Sequence, residues 1–439
     1  MTRPDRGESA ARAWLLGFVG LQVACQLALL VPVLGAARPA FRVAAFGVSL
    51  VALACAPGRA APHPSRPWLL AALLLVGVQF FSPTTDSPLA GLAAVALNVA
   101  VAAPLVWVAR LRVTPRVLVE LLLLIWGFQT LSAAVGVLQA LSPGDFMPQA
   151  TAFYQGETGE ALKIVLADGA TIFRPMGLTD TPGGAAAAGL TAYLLGLGFL
   201  TTARSVTSRL AALGGVAAGL FCLVLCQVRV SVVLAGVMTV ALAAALVAAR
   251  RTRDLAWVGG LLPLAVAGSV AAALAVGGEA PLTRLETLVA GSPDALYYES
   301  RGHFLEATFG ELMADYPFGA GLGRWGMVSA YFATSTDPAA RPLWVEIQWT
   351  AWLFDGGAPL MVAYAGAVAA AGVATLRVAL SCRNPTVAGW AAVVTAYNLG
   401  VAAVTFSYVP FIGQMGLEFW LLNAAVVAAA RTADREATR

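Results

Sequence analysis

The chain has 439 residues, of which 59% are hydrophobic and only 11% charged. Soluble domains carry roughly a quarter charged residues, so this composition excludes a chain whose whole surface faces water. The net charge of +4 comes from arginine, Lys163 being the sole lysine, and no basic patch accompanies it, which removes nucleic acid as a partner.

A bilayer crossing needs about 20 apolar residues. Twelve stretches approach that length: 14–35, 40–57, 67–82, 88–109, 117–142, 183–203, 210–227, 230–249, 255–277, 345–376, 386–407 and 412–430. The expected fold is all-α, a polytopic integral membrane protein with about 12 transmembrane helices. Arg3, Arg6 and Arg12 precede the first stretch, which has the length of a retained span. Small residues, such as the Gly-Ala series from Gly183, suit close helix packing. The chain divides into 1–142, the first five helices; 143–182, a long extracytoplasmic loop; 183–277, helices six to nine; 278–344, a second such loop; and 345–439, the last three helices and a cytoplasmic tail. Both loops are expected to carry amphipathic helices. Cys25, Cys55, Cys222, Cys226 and Cys382 lie in or beside apolar stretches and read as buried thiols. Cys222 and Cys226 have helical spacing, but with only His63 and His303 in the chain no metal site is expected.

Cytoplasmic connections are enriched in Lys and Arg. With the N-terminus inside, alternate segments collect Arg3, Arg6, Arg12; Arg59, Arg66; Arg110, Arg112, Arg116; Arg204, Arg209; Arg250, Arg251, Arg253; Arg377, Arg383; and Arg431, Arg435, Arg439, which are 18 of the 27 basic residues. Both termini are then cytoplasmic. The other nine, Arg38, Arg42, Lys163, Arg174, Arg229, Arg284, Arg301, Arg324 and Arg341, fall outside.

A bundle needs only short connections, so function is expected in the long loops. In the first, Arg174-Pro175-Met176-Gly177 precedes Asp180; Arg174 reads equally as an anion ligand or as an interfacial anchor paired with Asp180. Arg229, in Gln227-Val228-Arg229, is the polar break between two apolar helices. A charge at the membrane edge is a functional candidate, against the plainer reading of a snorkelling arginine that sets a tight turn. In the second loop, Arg301 to Met313 has the apolar spacing of an amphipathic helix lying along the interface. Pro317-Phe318-Gly319-Ala320-Gly321-Leu322-Gly323-Arg324 then forms a turn whose backbone amides would approach an anion. Glu346 stands at the mouth of the tenth stretch, either as countercharge to an arginine such as Arg341 or as a catalytic group.

Over roughly 170–360 these residues resemble the bacterial O-antigen polymerase and ligase superfamily, whose members transfer glycans from polyprenyl pyrophosphate carriers on the outer face of the cytoplasmic membrane. Arg229 resembles the family's arginine between two central spans. Arg301, the following helix and Pro317-x-x-x-Gly321-x-Gly323 resemble its pattern of arginine, helix and Pro-Gly-rich turn. O-antigen ligases place a His-Asn pair about a dozen residues before a helix-opening glycine; counted back from Gly357, that position holds Glu346-Ile347. The departure favours a polymerase. The resemblance implies an undecaprenyl-pyrophosphate-linked oligosaccharide as donor, membrane lipid as surroundings, a chain-length regulator as an optional partner, and no cofactor. Arg229 and Arg301 are then expected to bear the charge of the departing pyrophosphate, with Arg174, Arg324 and Arg341 as secondary ligands and Glu346 as base. Attack opposite the leaving group inverts the anomeric centre and requires no metal. The rivals are a single-transfer glycan ligase and a transporter or flippase.

Overall fold

Proline and a polar side-chain cap together open three of the long helices. Ser87 Oγ accepts the Ala90 N–H at 3.1 Å, Thr114 Oγ1 the Val117 N–H at 3.3 Å, and Asn384 Oδ1 the Thr386 and Val387 N–H groups at 3.1 and 3.2 Å. In each case proline follows in the first turn, where its missing N–H costs nothing. The computed structural model describes residues 6–59, 61–148, 162–165, 169, 171–203, 205–278, 286, 292–334 and 342–438. Its long helices are α1 (Arg6–Ala28), α2 (Arg38–Cys55), α3 (Arg66–Gln79), α4 (Pro88–Ala102), α5 (Pro115–Leu141), α6 (Gly184–Thr202), α7 (Val206–Leu225), α8 (Arg229–Ala248), α9 (Thr252–Gly277), α10 (Gln348–Ser381), α11 (Pro385–Val404) and α12 (Gln414–Ala437).

Each apolar stretch in the sequence coincides with one of these helices. Ten are long and apolar enough to cross a membrane, so the chain is an all-α, multi-pass membrane protein. The other two are α3, apolar but only 14 residues long, and α12, which carries Glu418 and Asn423. Boundaries differ where local chemistry intervenes. The first stretch was expected over 14–35, but α1 ends at Ala28 and Pro32 opens a 3-10 turn, Pro32–Ala37. The first long loop was expected to carry an amphipathic helix; its described part holds instead a short antiparallel hairpin, β1 (Lys163–Val165) with β2 (Thr171–Phe173), and one helical turn, Pro143–Phe146.

The connections sort to two ends of the bundle. At one, Arg12 and Arg116 share Glu120 at 2.7 and 3.1 Å, Arg112 reaches Glu436 at 3.3 Å, Arg110 donates to the Leu53 carbonyl at 2.7 Å, and Arg251 pairs with Asp254 at 2.5 Å and donates to the Pro385 carbonyl. These pairs join segments that the arginine pattern assigns to one side. Arg42–Asp180 and Arg301–Glu346 join segments assigned to the other, where the long loops lie.

Small residues let α6 and α7 touch backbone to backbone. A Cβ on Gly219 would lie 2.5 Å from the Gly189 carbonyl oxygen, so no side chain fits. Gly219→Val is expected to lower stability by about 1–3 kcal/mol through overpacking. Gly214→Ala on the same helix meets open space and serves as control. Equal melting temperatures in detergent for the two variants would contradict the contact.

His63 lies in the turn between α2 and α3 and is 4% exposed. Its Nδ1 accepts the Ser65 N–H at 3.2 Å, and Arg431 of α12 donates to the adjoining Pro62 carbonyl. Burial, and secondly the Arg431 charge, lowers its pKa from 6.5 to about 4. Between those values the unfolded chain binds a proton that the folded chain refuses. Stability is therefore full above pH 6.5 and declines as the pH falls toward about 4, by about 3 kcal/mol in total. Melting curves across this range should be flatter for His63→Asn, which retains an acceptor but does not titrate; an unchanged slope would rule His63 out as the cause.

Candidate active site

At the loop-bearing end, residues 293–315 form the helix expected over the second loop, interrupted by two π turns, Tyr298–Gly302 and Thr308–Leu312. Such insertions re-aim side chains and concentrate at functional sites. Arg301 belongs to the first. Opposite it, the segment 342–347 runs into α10 and buries Ile347 completely while leaving Glu346 partly open. Arg301 Nη1 meets Glu346 Oε2 at 2.9 Å, with the two side chains 38% and 22% exposed. Two residues 45 positions apart, each singled out from the sequence, thus form one open ion pair. Arg341, the partner first considered for Glu346, lies outside the described residues.

The start of α10 is held rigidly beside this pair. Its Gln348 N–H is shared by the Thr405 and Tyr408 carbonyls, both at 3.0 Å, and its side-chain oxygen accepts the Phe411 N–H at 2.9 Å. Thr350 and Thr308 bring their hydroxyls to 2.6 Å, joining α10 to the helical run, while Trp349 packs between the rings of Phe309 and Phe406 at 5.8 and 5.6 Å. Trp344, two residues before Glu346, is 63% exposed.

Ten residues beyond Glu346, α10 breaks at Gly356 and Gly357, the latter at φ 69° and ψ −167°, which only glycine adopts readily. The break strands backbone groups that a continuous helix would satisfy. The glycine-rich loop replaces them: Ala320 N–H donates to the Phe354 carbonyl at 2.7 Å, and Ala358 N–H to the Pro317 carbonyl at 3.0 Å. The loop also fits against the α3–α4 connection, where Leu322 N–H donates to Thr85 Oγ1 at 3.1 Å. Three of the turn's amides, those of Gly319, Ala320 and Leu322, are thus engaged within the protein rather than open to an anion. Beyond the break, 358–381 is about 36 Å long, enough to span a ~30 Å bilayer core unaided.

Arg324 is 5% exposed, with Nη1 on the Ala320 carbonyl at 2.8 Å. It fastens the loop from within the fold. Next to it, Trp325 Nε1 donates to Asp355 Oδ1 at 2.8 Å and closes the break.

Arg174 and Arg229 lie at this same end. Phe199, near the end of α6, packs on Trp390, near the start of α11, with ring centroids 4.7 Å apart. The start of α6 is therefore level with the end of α11. Cys222 of α7 reaches the Ala185 carbonyl of α6, and Arg174 lies within electrostatic range of Cys226, three residues before Arg229. Both arginines are half-buried and engaged with neighbours. Gln227 holds a left-handed φ of 54°, so Arg229 opens α8 from a strained turn. Asp180, a candidate partner for Arg174, pairs with Arg42 of α2 at 2.6 Å.

Three buried polar features lie outside the residues that the sequence singles out. Asp355 closes the α10 break, Glu418 of α12 accepts from the Gln129 amide of α5 at 3.2 Å, and Asn398 and Asn423 exchange two hydrogen bonds of 2.8 Å between α11 and α12. An isolated carboxylate or amide within an apolar run was the available signal. Among the described residues, no cluster of three or more His, Cys, Asp and Glu side chains is arranged to hold a metal ion. No protein-family model matches this chain, and neither does any curated protein.

Proposed function

We propose that this protein is a membrane glycosyltransferase that polymerises polyprenyl-pyrophosphate-linked oligosaccharide repeat units at the outer face of a bacterial cytoplasmic membrane. In this reading all twelve helices are membrane-embedded, the termini and the arginine-rich end are cytoplasmic, and the loop-bearing end is outside. The Arg301–Glu346 pair carries the proposal: a phosphate-binding group and a proton acceptor sit 2.9 Å apart, partly open, at the membrane edge. The half-buried Arg174 and Arg229 at the same end supply further positive charge.

In the proposed step, an acceptor sugar hydroxyl attacks the anomeric carbon of the donor while Glu346 takes its proton. The anomeric C–O bond breaks, the lipid pyrophosphate leaves with the bonding pair, and Arg301 and Arg229 stabilise the developing charge through planar, multidentate contacts. Approach opposite the leaving group inverts the anomeric configuration. Trp344 offers an exposed aromatic face for a sugar ring beside the reacting carboxylate.

Incubating the purified protein with a lipid-pyrophosphate-linked repeat unit, then sizing the products, tests the reading. A ladder is expected, and Arg229→Ala should lose it while remaining folded in the membrane. A single joining event supports the ligase alternative. Absence of transfer in wild type under conditions that preserve the fold would refute both. The enclosed Glu418 and the break in α10 are features that transporters also use, so uptake of the lipid-linked unit into vesicles without bond formation would favour that class.

A further inference from the structure

α2 opens with Arg38 and carries Arg42 one turn later, so the two guanidinium groups project from one face. A helix N-terminus already bears partial positive charge, and no acidic residue stands in this first turn to offset it. Asp180 neutralises one of the two, at 2.6 Å from Arg42 Nη2. Arg38 has no hydrogen-bond or ion-pair partner among the described residues, and the Nε atoms of both arginines are enclosed without an acceptor. The site therefore has a surplus positive charge and unsatisfied donors.

Arg42 stands in the wall of an apolar groove of about 190 Å³ between α2, α4 and the short helix Gly326–Phe332, lined by Val43, Gly47, Ala96, Met327 and Phe332. Only Ser49 and Ala52 of α2 are buried, so this helix lies at the rim of the bundle, where bilayer lipid reaches it from the side. Two cations above a hydrocarbon-lined groove complement a phosphate headgroup above an acyl chain. We propose that this groove binds one anionic phospholipid, its phosphate on Arg38 and Arg42 and one acyl chain along α2 and α4. The inference stands independently of the transferase reading, because it uses none of the residues assigned to the reaction.

Native mass spectrometry of the detergent-purified, delipidated protein would test it, with phosphatidylglycerol, phosphatidylcholine and inorganic phosphate as probes. One phosphatidylglycerol is expected to bind in preference to phosphatidylcholine. Arg38→Ala should weaken it roughly tenfold or more, and Arg38→Lys less. Arg38 has no hydrogen-bond or ion-pair partner among the described residues to lose, so its replacement spares the fold. Gly47→Leu fills the groove from a position whose Cβ meets open space and raises helix propensity; it should abolish binding without unfolding the chain. Equal binding of both phospholipids, or wild-type binding by both variants, would overturn the proposal. So would an equal thermal shift from inorganic phosphate alone, which would leave the chain no role, or displacement of phosphatidylglycerol by equimolar polyprenyl phosphate.

Discussion

Glu346→Gln should slow glycan transfer by about 10²–10⁴-fold, the usual worth of a positioned proton acceptor, with folding nearly unchanged. Glutamine keeps the shape and a carbonyl oxygen for Arg301 Nη1, now 2.9 Å from the carboxylate, but it cannot take a proton from an attacking hydroxyl. Arg301→Ala should reduce transfer comparably for a different reason, by removing charge from the departing pyrophosphate and weakening its binding. The two variants separate in kinetics. Glu346→Gln should act mainly on kcat, whereas Arg301→Ala should also raise KM for the lipid-linked donor. A purely structural ion pair would behave otherwise. Each single alanine substitution would then lower the melting temperature, and the double substitution would recover part of the loss along with the activity. Full transfer by Glu346→Gln would eliminate the proposed base.

Gly357→Ala should be severely destabilising, by about 2–6 kcal/mol when backbone strain and overpacking are combined. Its φ of 69° with ψ −167° disfavours any side chain, and a Cβ there would lie 2.2 Å from the Pro317 carbonyl oxygen and 2.5 Å from Phe318 Cα. Relief would require expelling the 317–324 loop. The Phe354 carbonyl and Ala358 N–H would then lose their partners, and Trp325 would leave Asp355. Against a total stability on the order of 5–15 kcal/mol, much of the folded population is at risk. Gly372→Ala lies on the same helix with open space around it and should be neutral or mildly stabilising. Melting temperature and monodispersity in detergent distinguish them. A wild-type profile for Gly357→Ala would show that the loop does not depend on this backbone geometry.

The hydrophobic pattern placed all twelve long helices, and ten of them have the length and composition that a bilayer crossing imposes. Arginine spacing sorted their connections into two sets, and the ion pairs keep those sets apart at the two ends. Arg301 and Glu346 stood out individually, since a charge beside an apolar run is conspicuous. Their pairing was not legible: 45 residues separate them, and the contact arises only when the start of α10 is bonded to the end of α11. The partner of the glycine-rich turn was hidden for a related reason. Glycines signal close approach of backbone to something, and only the fold identified that partner as the break in α10. Arg324 shows the same limit, because its sequence neighbourhood does not disclose that it is 5% exposed and bonded to the Ala320 carbonyl. The sequence by itself thus determined which segments are helical, which are polar and how they alternate, because these depend on local composition against a single solvent boundary. Tertiary structure alone decided which charges meet, which glycines pack and where Arg38 is left without a counterion among the described residues, because those outcomes depend on distances between segments far apart in the chain.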